Sequence, residues 1–336
     1  MPHFAQLTQL EHLIMQAPAC VRVGMHGEIA YKEQRYPLYS LTIGNAAPSA
    51  PVLGFFGGVH GLERIGCQIV LSLLASLFVR LQWDSSLQRQ LEKIRLVFMP
   101  LINPVGMARG TRCNHDGIDL MRNAPIEAAH RVPFLMGGHR ISRVLPWYRG
   151  AANTAMAQEN QALCQLVQDQ LLNSPFSLAL DCHSGFGLRD RLWFPYAYTQ
   201  EPIAHLAEVF ALTELFQRSY PYHPYLIEPQ SQQYMTHGDI WDYLYQQHLA
   251  QSDRVFLPLT LEMGSWLWIK KNPRQLFSID GLFNPIVEHR EQRVLRKHLI
   301  LFEFLIHAVH DFEHWQVTST ERHTVQQKAL QTWYSS

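Results

Sequence analysis

The sequence predicts an α/β fold organised as one domain. Short apolar runs bounded by turn residues alternate with longer amphipathic stretches along most of the chain, which is the pattern of a sheet with helices packed on its faces. Of the 336 residues, 47% are apolar and 17% are charged, so the chain has enough apolar material for a large buried core. No linker-like stretch, internal repeat or low-complexity segment divides the sequence.

Seven segments are predicted to be strands. The two nearest the N-terminus, residues 28–31 and 36–43, are partly polar and are expected to be edge strands in a preamble that spans residues 1–50. The other five are rich in Val, Ile, Leu and Phe, a composition that favours strands buried on both faces. These five lie at residues 51–56, 94–100, 177–182, 191–195 and 255–262.

Five amphipathic stretches with apolar residues at three- and four-residue spacing are predicted to be helices. They lie at residues 62–82, 157–172, 203–216, 238–247 and about 285–315. Residues 285–336 are expected to form a C-terminal helix and a tail packed on the rest of the domain. Residues 124–150 are dense in Pro, Gly, His and Arg and lack periodicity. They predict a long loop over one end of the sheet, and loops of that length are usually functional.

Charge and cysteine content exclude several classes of protein. Lys and Arg together number 28, as do Asp and Glu, so no basic excess is available for nucleic-acid binding. The five cysteines are scattered without a CxxC pair, which favours a reducing compartment over a disulfide framework.

The longest apolar stretch, residues 65–79, is too short to span a membrane, and the N-terminus lacks a signal-peptide pattern. We expect a cytoplasmic protein with no nucleic-acid or membrane partner, and the sequence carries no signal for its oligomeric state.

The absence of phosphate-binding and nucleophile motifs directs attention to metal chemistry. The chain contains no GxGxxG, GxxxxGK[ST], GxSxG or HExxH motif,. It does contain His60-x-x-Glu63 directly after an apolar strand and two glycines, a position from which an imidazole and a carboxylate can turn toward one point. Two further HxxE pairs fall inside predicted helices, where solvated helix faces are expected: His205 with Glu208, and His310 with Glu313.

Two more candidates end apolar strands. His183 follows the strand at 177–182 and Glu262 ends the strand at 255–262, and open α/β sheets bind ligands at the carboxyl ends of their strands. Taken alone, His183 would be a hydrogen-bonding residue and Glu262 a turn- or helix-capping carboxylate. Together with His60 and Glu63, His183 completes the two-His, one-Glu ligand set of a catalytic zinc site, which keeps a fourth position open. A carboxylate beside such a site can accept a proton from the attacking water.

A polar cluster at residues 103–123 adds the remaining candidates. Arg112 and Arg122 could be solvated loop residues. Beside a metal, however, one guanidinium can face an oxyanion and another can bind a substrate carboxylate through two parallel hydrogen bonds. Asp119 can orient a metal-binding imidazole through the second nitrogen of the ring.

Over residues 36–264 the chain resembles the zinc carboxypeptidase superfamily. The motifs that carry the resemblance are His60-x-x-Glu63, Asn103-Pro104-x-Gly106, Arg112, Asp119-x-x-Arg122-Asn123, His183 and Glu262. The resemblance implies a single domain with a central mixed sheet of about eight strands flanked by helices, a catalytic domain over residues 36–284, and one Zn²⁺ per chain. It implies zinc ligation by His60, Glu63 and His183, a general base at Glu262, an oxyanion-stabilising Arg112, a carboxylate-binding Arg122, and orientation of His60 by Asp119.

Two departures from the family pattern bear on specificity. The family usually has Asn where this chain has Met121, so one hydrogen bond to a substrate carboxylate is missing. Either Met121 faces the site, or it points into the core and Asn123 supplies the amide. The substrate-binding tyrosine of the family is placed at Tyr234, with Tyr243 and Tyr245 as rivals.

These features predict a zinc-dependent hydrolase of the carboxypeptidase type that cleaves a peptide bond with metal-activated water. His60-Gly61 is also similar to the succinylglutamate desuccinylase and aspartoacylase branch, so an N-acyl amino acid deacylase is an alternative. A third hypothesis is a zinc-binding protein that recognises peptide ends without turnover, against which Glu262 and Arg112 argue because binding alone needs no base. The expected substrate is a peptide or an acylated amino acid.

Overall fold

An eight-stranded mixed sheet lies at the centre of the fold in a computed structural model that describes residues 4–335. In chain order the strands are β1 (Val21–Tyr31), β2 (Gln34–Gly44), β3 (Val52–Gly57), β4 (Arg95–Met99), β5 (Phe176–Ser184), β6 (Arg191–Phe194), β7 (Leu226–Pro229) and β8 (Val255–Met263). Their order across the sheet is β1-β2-β4-β3-β5-β8-β6-β7. The predicted α/β class and the single domain with a mixed sheet are confirmed.

The middle of the sheet positions the functional residues. Strands β4, β3, β5 and β8 run parallel to one another, and all their residues are buried, as expected for apolar runs covered on both faces. The carboxyl ends of parallel strands meet at one edge of a sheet. In the register of β5 and β8, His183 lies directly beside Glu262.

Helices surround the sheet. Within the described residues they are α1 (Ala5–Met15), α2 (Arg64–Arg80), α3 (Ser85–Leu91), α4 (Pro104–Arg109), α5 (Gln158–Val167), α6 (Leu206–Ser219), α7 (Ile240–Leu249), α8 (Trp266–Lys271), α9 (Ile279–Phe283), α10 (Glu288–His310), α11 (Phe312–Trp315) and α12 (Arg322–Trp333). Neighbouring residues of β3 point to opposite faces. Phe55 packs on Phe302 of α10, with 5.3 Å between the ring centroids, whereas a Cβ on Gly54 would lie 3.1 Å from Leu171, in the π-helical turn that extends α5.

The predicted helices are confirmed with small boundary shifts, except at the C-terminus. The predicted helix at 285–315 ends at His310, because Asp311 leaves helical geometry with φ −110° and ψ 27° before the short α11. The predicted tail forms α12, which buries Ala329 and Trp333. No single helix among the described residues is long and apolar enough to cross a membrane; α2 and α3 meet that criterion only if they are counted together, across a bend of 110°.

The N-terminal preamble is more structured than predicted. Its first element is the helix α1, which buries a stripe of Leu7, Leu10 and Leu13. Strand β2 is not the predicted edge strand, because it pairs with β4 as well as with β1. The opposite edge of the sheet is β7, a four-residue strand that the sequence pattern did not predict.

Candidate metal centre and active site

The turn between β3 and α2 carries two candidate metal ligands. β3 ends at Gly57, and Gly58 has a φ of +68°, a left-handed conformation that glycine adopts without strain. Glu63 lies immediately before α2, but its carboxylate does not cap the helix. Instead, Oδ1 of Asn284 accepts a hydrogen bond from the backbone N–H of Ile65 at 2.9 Å. The Glu63 side chain is therefore available to the site.

Asn103 and Gly61 hold this turn against the segment that follows β4. Oδ1 of Asn103 accepts from the N–H of Gly106 at 2.8 Å and caps α4, while its Nδ2 donates to the carbonyl of Val59 at 3.2 Å. A Cβ on Gly61 would lie 2.0 Å from the carbonyl carbon of Gly106, so this close approach of two backbones requires glycine. The Asn103-Pro104-x-Gly106 motif thus fixes the position of the ligand turn.

His183 is held between two carboxylates at the end of β5. Its Nδ1 lies 3.1 Å from Oε2 of Glu63, and its Nε2 lies 2.7 Å from Oδ2 of Asp181. Burial opposes a charge on the imidazole, but Asp181 and Glu63 outweigh burial and raise the pKa of His183 well above its ordinary value. Sequence reasoning missed Asp181. Its signal was the Asp-x-His spacing on a strand, which places both side chains on the same face.

His60, Glu63 and His183 form a group able to hold a metal ion. Their candidate ligand atoms lie within 4.8 Å of one another, all three residues are buried, and the part of the chain that the structure describes contains no other such group. Burial lowers the pKa of His60 well below its ordinary value, and the charge of Arg112 lowers the pKa further. His60 is therefore neutral, the state in which an imidazole ligates a metal.

This donor set fits zinc. Nδ1 of His60 is buried without a hydrogen-bond partner, so one ring nitrogen of a candidate ligand is left unsatisfied by the protein. Two imidazoles and one carboxylate with an open fourth position are the arrangement of a catalytic zinc site. Asp181 contacts Nε2 of His183, and metal-binding histidines commonly form a hydrogen bond of this kind with a carboxylate through their second ring nitrogen,.

Glu262 lies beside the ligand group, on the strand next to His183. Its Oε1 accepts a hydrogen bond from the backbone N–H of Phe186 at 3.0 Å. Burial, together with the charge of Glu63, raises the pKa of Glu262 to about 8. A carboxylate with a pKa near the working pH is well suited to accept and return a proton.

Arg112 connects the candidate ligands to Asp119. Its Nε donates to Oδ2 of Asp119 at 2.8 Å, while its two terminal nitrogens lie 3.2 Å from Oε1 of Glu63 and 2.7 Å from Nε2 of His60. Oδ1 of the fully buried Asp119 lies 3.7 Å from Nδ1 of His60. The structure therefore brings Asp119 close to both residues, with the guanidinium aimed at the metal-binding group.

Arg122 carries a buried guanidinium that forms no ion pair with a carboxylate of the described residues. The residue is only 3% exposed, and its side-chain nitrogens donate to the carbonyls of Met136 at 3.3 Å and Met121 at 3.2 Å. No carboxylate of residues 4–335 lies within 4 Å of it. The charge of Arg122 acts on the pKa of the buried Asp239 carboxyl without forming an ion pair with it, so the guanidinium can still bind an anionic ligand.

One cavity of about 360 Å³ is lined by the three candidate ligands, Arg112, Arg122 and Glu262. Its wall includes Met136, Pro146 and Trp147 from residues 124–150, so the predicted long loop does cover this end of the sheet. Tyr234 also lines the cavity, and burial raises the pKa of its hydroxyl above the ordinary value, which keeps it protonated. Met121 lines the same cavity.

The structure separates three predicted residues from this cavity. Asn123 does not supply an amide there, because its Nδ2 donates to the carbonyl of Arg149 at 2.8 Å and its Oδ1 accepts from the N–H of Ala157 at 2.6 Å. Tyr245 is fully buried, and Tyr243 packs against the core. Of the three tyrosines considered, Tyr234 is the one at the site.

The two other HxxE pairs lie outside the site, and neither forms the solvated face of one helix that was predicted. His205 and Glu208 are buried, because His205 packs against Tyr245 with its Nδ1 2.9 Å from the hydroxyl, and Glu208 pairs with Arg322 of α12. His310 ends α10 and Glu313 lies in α11, and Nδ1 of His310 lies 2.9 Å from Asp311.

Comparison with known proteins agrees with this geometry. A family model described as zinc carboxypeptidase matches residues 10–265. A carboxypeptidase of Arabidopsis thaliana, SOL1, is 27% identical over 109 residues; this match covers 32% of the chain and about a fifth (22%) of the length of the plant protein.

Two solved structures show the same fold. Bovine thrombin-activatable fibrinolysis inhibitor, in complex with tick carboxypeptidase inhibitor, superposes with a TM-score of 0.64 at 17% identity over 90% of this chain and 94% of the other. Carboxypeptidase A of Helicoverpa armigera superposes with a TM-score of 0.64 at 16% sequence identity, over 90% of this chain and 70% of the other. Since the family model spans most of the chain, including every candidate ligand, this chain belongs to the zinc carboxypeptidase family of metallohydrolases.

Proposed function

We propose that the protein is a metallocarboxypeptidase, which releases the C-terminal residue of a peptide by zinc-dependent hydrolysis. The observation that carries this proposal is the buried guanidinium of Arg122, which faces the cavity and forms no ion pair with a carboxylate of residues 4–335. A free C-terminal carboxylate supplies the missing negative charge and can accept two parallel N–H bonds from one guanidinium. The scissile bond of a peptide bound in this way lies one residue away, toward Glu262 and the ligand group.

The chain's own residues divide the chemistry among them. Zinc, held by His60, Glu63 and His183, would act as a Lewis acid that polarises the scissile carbonyl and makes the attacking water more acidic. Glu262 takes a proton from that water and passes it to the leaving amine. Arg112 lines the same cavity beside the ligand group, and its terminal nitrogens would donate to the oxyanion that develops on the carbonyl.

A second cavity favours a peptide over a small acylated amino acid. It has a volume of about 710 Å³ and shares Leu62, Arg112 and Pro146 with the first cavity. The two cavities therefore meet at Arg112, where the scissile carbonyl is placed. The C-terminal residue occupies the first cavity, and the residues before the cleaved bond extend into the second.

Paired substrates test the role of Arg122. A blocked dipeptide with a free C-terminal carboxylate should be hydrolysed by the zinc-loaded protein at least about 100-fold more efficiently than the same peptide as its C-terminal amide, since a charge-assisted bidentate pair is lost. Arg122→Met should raise KM for the free acid, leave zinc content unchanged and abolish the preference over the amide. Equal hydrolysis of acid and amide by the unmodified protein would contradict the proposal, as would faster hydrolysis of N-acetyl amino acids than of peptides.

A further inference from the structure

The wall of the first cavity beyond Glu262 is built from neighbouring strands. Thr260 lies two residues before Glu262 on β8, so both side chains are on the same face. Across the sheet, Thr260 pairs with Trp193 of β6, and Trp193 pairs with Glu228 of β7. Gln230 lies two residues after Glu228 in the chain, and it lines the cavity together with Thr260 and Trp193.

We call this part of the cavity the neutral pocket, defined by Met121, Met136, Trp193, Gln230 and Thr260. Arg122 is adjacent to it, because Arg122 follows Met121 in the chain and donates to the carbonyl of Met136. A peptide whose terminal carboxylate is bound by Arg122 therefore places its last side chain in the neutral pocket.

The neutral pocket contains no charge to balance a charged side chain. Every charged residue that lines the cavity is used elsewhere: His60, Glu63 and His183 as candidate ligands, Arg112 and Glu262 at the scissile bond, and Arg122 at the carboxylate. Glu228, on the neighbouring strand, does not line the cavity, and its Oε1 already accepts from Arg191, Trp193 and Gln233. Burying a lysine, arginine, aspartate or glutamate side chain there is unfavourable, because its charge would be desolvated without a partner.

Gln230 supplies the carboxamide of the neutral pocket, beside the hydroxyl of Thr260. The residue is 8% exposed, and its side-chain amide forms no hydrogen bond with any described residue, although its backbone carbonyl accepts from Gln233 and Tyr234. An apolar substrate side chain that displaces water from this amide leaves its donors and acceptor unpaired. A site with a buried hydrogen-bonding group rejects ligands that cannot satisfy it.

We propose that Gln230 selects substrates whose C-terminal residue carries a carboxamide side chain, glutamine or asparagine; this inference rests on the proposed carboxypeptidase function. A carboxamide has one acceptor and two donors, as does the side chain of Gln230, so the two amides can form reciprocal hydrogen bonds without any change of charge. Met121 and Met136 supply flexible apolar surface for the methylene groups of such a side chain.

Four blocked tripeptides that differ only in their last residue, glutamine, methionine, glutamate or lysine, test this selection. The first three have similar size, so the comparison isolates hydrogen bonding and charge. With zinc-loaded protein, kcat/KM for the glutamine peptide should exceed that for the methionine peptide by about tenfold, as expected for an unpaired buried amide, and the two charged peptides should be cleaved more slowly still. A methionine peptide cleaved as fast as the glutamine peptide overturns the inference.

Variants of Gln230 assign the preference to this residue. Gln230→Met should reverse the order of the glutamine and methionine peptides while preserving turnover of the latter, and Gln230→Glu, which keeps the shape, should move the preference toward the lysine peptide. Gln232→Met, at an exposed neighbour outside the cavity, should leave the order unchanged. An unchanged order in the correctly folded Gln230 variants overturns the inference.

Binding separates this inference from the proposed function. The four peptides are also titrated calorimetrically into zinc-loaded Glu262→Gln, which retains the neutral pocket but lacks the base. Tighter binding of the glutamine peptide supports the role of Gln230 even if the unmodified protein hydrolyses none of the four, an outcome that would refute only the carboxypeptidase activity. Equal binding of glutamine and methionine peptides refutes the role of Gln230 whatever the activity.

Discussion

The carboxyl group of Glu262 links stability to catalysis. Burial, followed by the charge of Glu63, raises its pKa to about 8 in the metal-free protein, above the ordinary value of 4.5 that the unfolded chain retains. Between these two values the folded state binds more protons than the unfolded state, so this group makes folding less favourable as pH rises from about 4.5 to 8.

Replacing Glu262 with glutamine should therefore have two opposite effects. The metal-free Glu262→Gln protein should have a higher thermal midpoint than the unmodified protein at pH 8, and the two midpoints should converge near pH 4, where both side chains are neutral. With zinc bound, kcat should fall by more than about 100-fold, because an amide cannot accept the proton. Thermal unfolding over a pH series and steady-state kinetics measure both effects. A near-normal kcat would remove Glu262 from the mechanism. If the thermal midpoints of the two proteins changed with pH in the same way, burial would not be raising the pKa of Glu262.

Asp181 orients the candidate ligand His183. Its Oδ2 lies 2.7 Å from Nε2 of His183 and accepts from Nε1 of Trp241 at 2.8 Å. Asp181→Asn keeps an oxygen for Trp241 but removes the charge that orients the imidazole. Zinc affinity, measured by competition with a chromophoric chelator, should fall by about 10- to 100-fold. Asp169→Asn, an exposed replacement of the same type, serves as the control, and an equal affinity in both variants would contradict this role.

At the scale of the elements, local apolar patterns were sufficient to predict the buried strands but insufficient to predict short or polar elements. β5 and β8 are composed mainly of apolar residues, and both were predicted together with His183 and Glu262 near their carboxyl ends. β7 has only four residues, Leu-Ile-Glu-Pro, and α12 buries only Ala329 and Trp333, so neither has enough periodicity to stand out.

Non-local contacts explain why some features, at the site and away from it, were missed or predicted wrongly. The cap of α2 comes from Asn284, more than 200 residues after the helix it caps, and no local pattern reveals such a contact. Asn123 adjoins Arg122 in sequence, but the backbone turns its amide toward Arg149 and Ala157. His205 and Glu208 have the spacing of a solvated pair on a helix, yet α7 and α12 cover them.

The covered end of α6 makes the fold sensitive to acid. Burial, followed by the charges of His248 and Arg322, lowers the pKa of His205 from 6.5 to about 4. Between these values the unfolded state binds more protons, so stability falls as pH decreases from about 6.5 to 4. His205→Asn should reduce this loss by about 1–3 kcal/mol, while zinc content stays unchanged because His205 lies outside the ligand group. Urea unfolding at pH 7 and pH 4.5 measures the difference, and an identical loss in both proteins would contradict the assignment.

On the scale of the whole molecule, the site joins parts of the chain that are far apart in sequence. The second cavity lies between residues 109–117, residues 143–146 and Ile279 of α9. Arg109 and Arg143 line it, and neither has a carboxylate within 4 Å among the residues that the structure describes. Since Asp116 is the one acidic residue of its lining, the second cavity carries an excess of positive charge beside the place where the scissile bond is bound.

This arrangement predicts that substrates gain from residues on the N-terminal side of the cleaved bond. Extending a blocked dipeptide to a tetrapeptide should raise kcat/KM by about tenfold, mainly through KM, because binding energy remote from the bond improves the positioning of the substrate. Glutamate at the added positions should help more than lysine, and raising the salt concentration should narrow that difference, since exposed charges are screened. Arg143→Ala should weaken the preference for glutamate, whereas Arg131→Ala, an exposed arginine of the same loop that lines neither cavity, should not. If the length of the peptide has no effect on kcat/KM, the substrate ends within the first cavity and the second cavity takes no part in binding. If the length matters but the charge of the added residues does not, the second cavity binds the peptide without help from Arg109 and Arg143.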